Sequence, residues 1–210
     1  MTNARTFWDK RAAKYAASPI ADMPAYQYTL QRTASHLSET DRVLEIGCGT
    51  GTTALHLAPG LGQIEGTDIA PQMIRIAADK AAAQGMTNTR FRVASAEDAA
   101  GRIAGVDAVL AFNIFHLTPN LEAIIALVHE GLPRGGLLIS KTPCLAEPSL
   151  GMKRFAFAAM IPVMRLIGMA PFVRRLTFSD LQGMMTDAGF DLIETGAFPA
   201  MSHFIVARKR

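Results

Sequence analysis

Val43-Leu-Glu-Ile-Gly-Cys-Gly-Thr-Gly51 is the stretch on which the reading of this chain turns. An apolar run ends in three glycines at alternate positions, Gly47, Gly49 and Gly51, and a helical pattern follows over 51–58. Alternating glycines let the backbone turn sharply and approach a ligand with no Cβ in the way, and the helix behind them offers unpaired N–H groups. A dinucleotide site uses the same physics, so the glycines do not discriminate alone. Two details do. Thr52 stands where a G-x-G-x-x-G fingerprint requires glycine. Glu45 places a carboxylate at the strand's end, two residues before Gly47. A buried carboxylate costs several kcal/mol unless paired, and beside a pyrophosphate it would be repelled. A cationic ligand carrying an amino group and a sulfonium answers both objections. The bland alternative is a tight turn with an incidental acid.

Working outward, short apolar runs suited to buried strands fall at 42–46, 63–67, 89–94, 106–111 and 136–141. Helical patterns lie between them at 51–58, 71–84 and 120–131, near breakers such as Pro71, Gly85 and Pro119. Strands alternating with helices imply an α/β domain, a three-layer sandwich with a mostly parallel sheet covered on both faces. Ahead of the first strand, 4–17 and 24–38 read as two helices, an N-terminal cap over residues 1–40. The cofactor-binding core spans 41–142. An irregular apolar and basic stretch occupies 143–177, as a substrate-side insertion or lid. A helix at 178–188, ending at Gly189, and a hairpin of strands at 190–195 and 202–208 complete a single domain.

Three further segments carry chemistry. Asp68 ends the second strand in Ile64-Glu-Gly-Thr-Asp68-Ile69-Ala-Pro-Gln-Met73, 21 residues after Gly47. A carboxylate there can accept both hydroxyls of a ribose, or it can cap the helix that begins near Pro71. Coupled to the glycine loop, the ribose reading is the stronger. Val93-Ala-Ser95-Ala96-Glu97-Asp98 follows the third strand, where backbone amides and a polar side chain could read an adenine edge. On its own, N-capping by Ser95 explains that segment better. Val106-Asp-Ala-Val-Leu-Ala-Phe-Asn113-Ile-Phe-His116 puts Asn113 and His116 at the carboxyl edge of the sheet, where ligands bind in such folds.

These four segments, in this order, resemble the class I (Rossmann-like) S-adenosylmethionine-dependent methyltransferases, especially their small-molecule group (methyltransferase type 11/12-like). The resemblance covers roughly 40–142, with weaker support at 178–208. It implies a seven-stranded sheet whose last strand is antiparallel, S-adenosyl-L-methionine as cofactor and S-adenosyl-L-homocysteine as product. By the same resemblance, Glu45, Gly47, Cys48 and Gly49 hold the methionine end and Asp68 the ribose. Ile69 and Met73 flank adenine, Ala96 meets it through its backbone, and Asn113 lines the pocket near the methyl donor. The family often has an acid where Ser95 stands, so Ser95 or Glu97 is left to make the adenine amino contact.

Methyl transfer from a sulfonium is an in-line displacement in which positioning does most of the work, and a base is needed only for an acceptor that enters protonated. His116 is the base candidate by position, and Tyr15 can fold over the cofactor from the N-terminal helices. Each also has a plain packing reading. Specificity is expected outside the shared core. The N-terminal helices contribute Phe7, Trp8, Tyr15, Tyr26 and Tyr28, and the stretch 143–177 contributes Met152, Phe155, Phe157, Met160, Met164, Met169 and Phe172, methionine being adaptable to varied apolar ligands, although simple packing in the core is the stronger reading of that stretch. Within 144–177, Lys153, Arg154, Arg165, Arg174 and Arg175 face one acid, Glu147. That segment can lie on an anionic membrane or cover a lipophilic acceptor.

Length and composition bound the rest. In 210 residues, half of them apolar, the chain can bury a sizeable core. A net charge of +3 does not point to nucleic acid. Two cysteines, Cys48 and Cys144, make neither a disulfide framework nor a four-ligand zinc site, no His/Cys/Asp spacing suggests a metal, and a cytoplasmic setting is the simplest. The N-terminus has no secretory pattern, and 155–172 is too broken by Pro162, Arg165 and Pro171 to span a bilayer. The expectation is a methyltransferase acting on a small, partly lipophilic acceptor at O, N or C. A membrane-associated phospholipid or quinone methyltransferase is its variant. A nucleotide-dependent oxidoreductase, disfavoured by Glu45 and Thr52, and a non-catalytic cofactor-binding module are the readings of other classes. Acceptor and oligomeric state stay open.

Overall fold

In a computed structural model of the chain, which describes residues 4–210, seven strands form one sheet. They are β1 (Arg42–Ile46), β2 (Gln63–Asp68), β3 (Thr89–Val93), β4 (Ala108–Phe112), β5 (Leu137–Pro143), β6 (Phe190–Ala197) and β7 (Ser202–Lys209). The spatial order is β3-β2-β1-β4-β5-β7-β6. β1 to β5 run parallel to one another, and β7 runs antiparallel between β5 and β6. The expected seven-stranded sheet with a reversed last strand is therefore present. The order reverses at β1, which pairs with β2 on one side and β4 on the other. Such a switch point opens a crevice at the carboxyl ends of the strands, and the glycine loop leaves β1 into it.

Alternation along the strands builds two cores. Leu44, Ile46, Val109, Ala111, Leu138, Ile205 and Ala207 face one side, covered by α6 (Ala96–Ala100), α7 (Leu121–Gly131) and α9 (Phe178–Asp187). Val43, Leu110, Ile139, Phe204 and Val206 face the other, against Leu30 of α3 (Met23–Ala34) and Ala54 and Leu57 of α4 (Thr52–Leu57). α5 (Pro71–Ala83) covers β2 and β3. Arg32 and His36 grip Glu194 on β6, tying the end of α3 to the far edge of the sheet.

Two expectations need correction. The helix read over 4–17 is two short helices, α1 (Ala4–Asp9) and α2 (Ala12–Ala17). The chain bends at Lys10-Arg11 so that Phe7 is buried and Ala12 packs with Ala70 and Met73 at the start of α5. There the Asp9 carboxylate accepts the Gln72 N–H at 2.8 Å. The stretch 143–177, read as irregular, contains the fourteen-residue α8 (Lys153–Leu166), with Pro162 inside it. Proline removes one N–H and crowds the preceding turn, yet Ala156, Phe157, Ala158, Ala159 and Met160 carry the helix up to it. Among the described residues, no helix is long and apolar enough to cross a membrane.

Candidate functional site

A cavity of about 890 Å³ opens at the carboxyl edge of the sheet. Its floor is the loop from β1. Gly49 has φ +54°, a conformation that side chains rarely adopt, and a Cβ there would point at the Tyr15 ring, 3.6 Å away. Gly47, at φ +73°, is closed in from the other side, since a Cβ would fall 2.8 Å from the Ile114 side chain. From behind, the Lys80 ammonium on α5 donates to the Thr50 carbonyl and to the hydroxyls of Thr50 and Thr52, each at 3.1 Å. The loop is thus held from both faces before any ligand arrives.

Two carboxylates stand over this floor. Glu45 is 3% exposed, and its Oε2 has no hydrogen-bond partner among the described residues. Burial raises its pKa to about 8, with the Ala54 N–H pulling it down and nearby Asp68 pushing it up. Asp68 also sits above the usual carboxylate range because it is buried, despite the N–H donors around it. Its Oδ2 accepts the Gly49 N–H at 3.1 Å and its Oδ1 the Ala70 N–H at 2.9 Å. Asp68 therefore accepts an N–H just ahead of α5 without capping it, since the N-cap is Ala70, and it still lines the cavity. The same acidic pair, together with burial, raises the Tyr15 hydroxyl pKa, and burial holds the Cys48 thiol protonated. A site of this character favours a cation and is hostile to a polyphosphate.

Just after β4, Asn113 takes a left-handed conformation, φ +56°, and donates its backbone N–H to the Lys141 carbonyl at 2.8 Å. A non-glycine residue in that region marks local strain, which concentrates at functional sites. One turn on, His116 borders the cavity with its Nδ1 buried and unpartnered among the described residues. Burial drops its pKa to about 4, so the ring is neutral across the physiological range. The backbone N–H of Arg174 donates to the His116 carbonyl at 2.7 Å, and the Arg174 guanidinium grips the Glu122 carboxylate. This pins the segment after α8 against the cavity rim.

The residues read from sequence as cofactor-binding or catalytic meet here: Tyr15, Glu45, Gly47, Cys48, Gly49, Asp68, Ile69, Met73, Ser95, Ala96, Glu97, Asn113 and His116 border the same cavity. Their surroundings separate them. The Ser95 hydroxyl accepts the Asp98 N–H at 3.0 Å and donates to the Asp98 carboxylate at 2.8 Å, so it is spent on capping α6. Glu97 makes no such internal bond among the described residues. Of the aromatic residues in the N-terminal helices, Trp8, Tyr15 and Tyr26 border the cavity. Phe7 is in the core, and Tyr28 packs on Phe198 and Phe204.

None of the methionines and phenylalanines of 152–172 does so, which corrects the expectation that they shape the acceptor side. That stretch reaches the cavity through Pro171 and Val173 instead. Phe112 and Pro143, at the ends of β4 and β5, and Ile20, Thr53 and Leu117 also line it without having been singled out. The position of Phe112 and Pro143 at strand ends was the available signal. For the others, which sit in loops or on a helix shoulder, the sequence carries none.

Residues 43–136 match the family described as methyltransferase domain. The ubiquinone biosynthesis O-methyltransferase of Xanthomonas axonopodis pv. citri is 33% identical over 102 residues, 48% of this chain and 42% of that protein. The 2-heptyl-1-hydroxyquinolin-4(1H)-one methyltransferase of Mycobacteroides abscessus is 36% identical over 77 residues, 37% of this chain and 34% of that protein. The match thus spans less than half the length of either relative. In fold, the chain is similar to magnesium protoporphyrin IX methyltransferase of Synechocystis PCC 6803, solved with bound S-adenosylhomocysteine, at a TM-score of 0.72 and 18% identity over 98% of both chains. With the glycine loop, the acidic crevice and the reversed last strand in place, the chain has the class I, Rossmann-like methyltransferase fold and carries the methyltransferase-domain match over its first four strands.

Proposed function

We propose that this chain transfers a methyl group from S-adenosylmethionine to a small, partly apolar acceptor, and that a hydroxyl oxygen is the atom methylated. One observation carries the reading. The cavity follows the carboxyl edge of the sheet from β1 and β2, whose ends carry Glu45, with an oxygen unpartnered among the described residues, and Asp68, to β4 and β5, whose ends carry the apolar Phe112 and Pro143. Ile20, Pro171, Val173 and the neutral His116 border the same cavity. The orphaned carboxylate oxygen fits the amino group or sulfonium of the cofactor, and the open ribose-facing side of Asp68 fits its hydroxyls. Glu97, whose carboxylate is not engaged within the protein, takes the adenine amino group in preference to Ser95, and Ala96 meets the ring through its backbone. Ile69 and Met73 flank it.

When bound, S-adenosylmethionine supplies a methyl group on a good leaving group, so the protein's task is mostly alignment and exclusion of water. Tyr15 and Trp8 close the cavity from the N-terminal side. His116, neutral because it is buried, can accept a hydrogen bond from an acceptor hydroxyl through its ring and draw its proton away as the oxygen attacks. An apolar, hydroxylated ring compound suits this wall. Relatives named for ubiquinone biosynthesis and for a heptyl hydroxyquinolone support that class. The test is an acceptor screen, with phenols, quinols, N-hydroxy heterocycles and phospholipids, read by release of S-adenosylhomocysteine. Steady release with a hydroxylated ring compound is expected. Saturable NADH binding with no S-adenosylmethionine binding would sink the reading.

A further inference from the structure

α8 is built backwards for a helix of a globular domain. A surface helix normally turns its apolar stripe to the core, but of the fourteen residues of α8 only Ile161 is buried. Met152, Phe155, Val163, Leu166 and Ile167 are 55–88% exposed, and Ala156, Ala159 and Pro162 are exposed between them. Their spacing, three and four residues apart, sets them on the face opposite Ile161. Lys153 and Arg165 stand outside this stripe, one on either side and near opposite ends of the helix. Arg154 and Arg175 lie close by, and of the five basic residues between 153 and 175 only Arg174 enters an ion pair among the described residues. The nearest acid in sequence, Glu147, is engaged by the Phe178 N–H.

We infer that α8 docks this protein on an anionic lipid bilayer, its apolar stripe sunk into the headgroup boundary and its flanking cations among lipid phosphates. An apolar face with cations at its margins is the arrangement of helices that lie in a membrane interface. Charge decides against the main rival, a second copy of the chain. A twofold interface would set each stripe, with its own Lys153 and Arg165, against an identical one, bringing like charges together. Anionic headgroups neutralise the same charges. At about 1.5 Å per residue, the helix is too short to cross the hydrocarbon layer, so it lies flat. Five residues past its end, Pro171 borders the cavity, and Val173 follows. Docking by α8 thus brings the rim of the cavity close to the lipid surface, from which an apolar acceptor could enter without crossing water.

The experiment is flotation of the full chain with vesicles of phosphatidylcholine, with and without phosphatidylglycerol, at low and at physiological salt. The protein is expected to rise with the anionic vesicles, less so as salt screens the headgroups, and to stay behind with the neutral ones. Leu166→Glu combined with Met152→Glu should abolish flotation; both side chains are largely exposed, so unchanged melting curves will show that the fold survives. Lys153→Glu and Arg165→Glu should each weaken partitioning about fivefold or more. Failure of the native chain to float, or flotation that these variants do not alter, would overturn the inference. So would a concentration-dependent dimer, seen by light scattering and removed by Leu166→Glu, in a protein that ignores vesicles. No acceptor or turnover enters the measurement, so its failure leaves the proposed activity standing.

Discussion

Asp68 does two jobs with one carboxylate, and the two can be separated. Its oxygens hold the Gly49 and Ala70 N–H groups, so the residue shapes the loop as well as serving the ribose role proposed for it. Asp68→Ala should weaken S-adenosylhomocysteine binding by about 1–3 kcal/mol, the cost of losing a buried hydrogen-bonded group, with calorimetry as the check. Unchanged affinity would remove Asp68 from the ribose role. His116 makes a different demand. His116→Asn should leave cofactor affinity intact and lower kcat/KM for the acceptor about a hundredfold, the lower end of what a positioned proton acceptor contributes. A variant with native kcat/KM would return His116 to packing alone. Both residues were legible in sequence from their place at the carboxyl edge: Asp68 closes β2, and His116 follows four residues after the end of β4. Ser95 was less so: a hydroxyl next to a possible ligand and a hydroxyl at a helix start look alike on paper, and the local bond to Asp98 won.

At the scale of elements, that capping bond is itself testable. Ser95→Ala should cost about 1 kcal/mol of stability through loss of the α6 N-cap and leave S-adenosylhomocysteine affinity unchanged. Glu97→Ala should do the opposite. Thermal melting and calorimetry on the two variants decide which residue meets the cofactor, and a Ser95→Ala variant with weakened binding would reverse the assignment. The sheet was readable because its strands are short apolar runs between glycine and proline breakers, a pattern that buried parallel strands impose on sequence. α8 was not, for a physical reason. Reading helices from periodicity assumes that the apolar stripe faces inward, and α8 turns its stripe outward around a proline. The break between α1 and α2 escaped notice for the converse reason. Lys10-Arg11 contains no breaker, and the bend serves the burial of Phe7 and Ala12 by distant partners.

For the molecule as a whole, Glu45 couples stability to pH. Its carboxyl stays protonated in the folded protein up to about pH 8, whereas in the unfolded chain it ionises near 4.5. Between those limits the folded state holds the extra proton, so stability falls as pH rises. Below about 6.5 buried His116 works the other way, since the unfolded chain binds the proton that the folded ring refuses. The Glu45 effect therefore stands clear between about pH 6.5 and 8. There the loss should approach about 1.4 kcal/mol per pH unit. Chemical denaturation across that window checks it, and Glu45→Gln should flatten the slope. A native slope of zero would mean that Glu45 is already ionised. In the same window, S-adenosylhomocysteine binding should release a proton, visible as a buffer-dependent heat.

The carboxylate of Asp9 on the first turn of α5 has a bearing on time rather than on affinity. The helices that carry Trp8 and Tyr15 border the cavity, and parting them from α5 is the route we propose for the departing S-adenosylhomocysteine. Asp9 is one latch on that door. If product escape sets the pace, as it does in many enzymes with closing elements, then Asp9→Ala should speed S-adenosylhomocysteine dissociation in stopped-flow and raise turnover. A slower release would mean that the wall is not the exit.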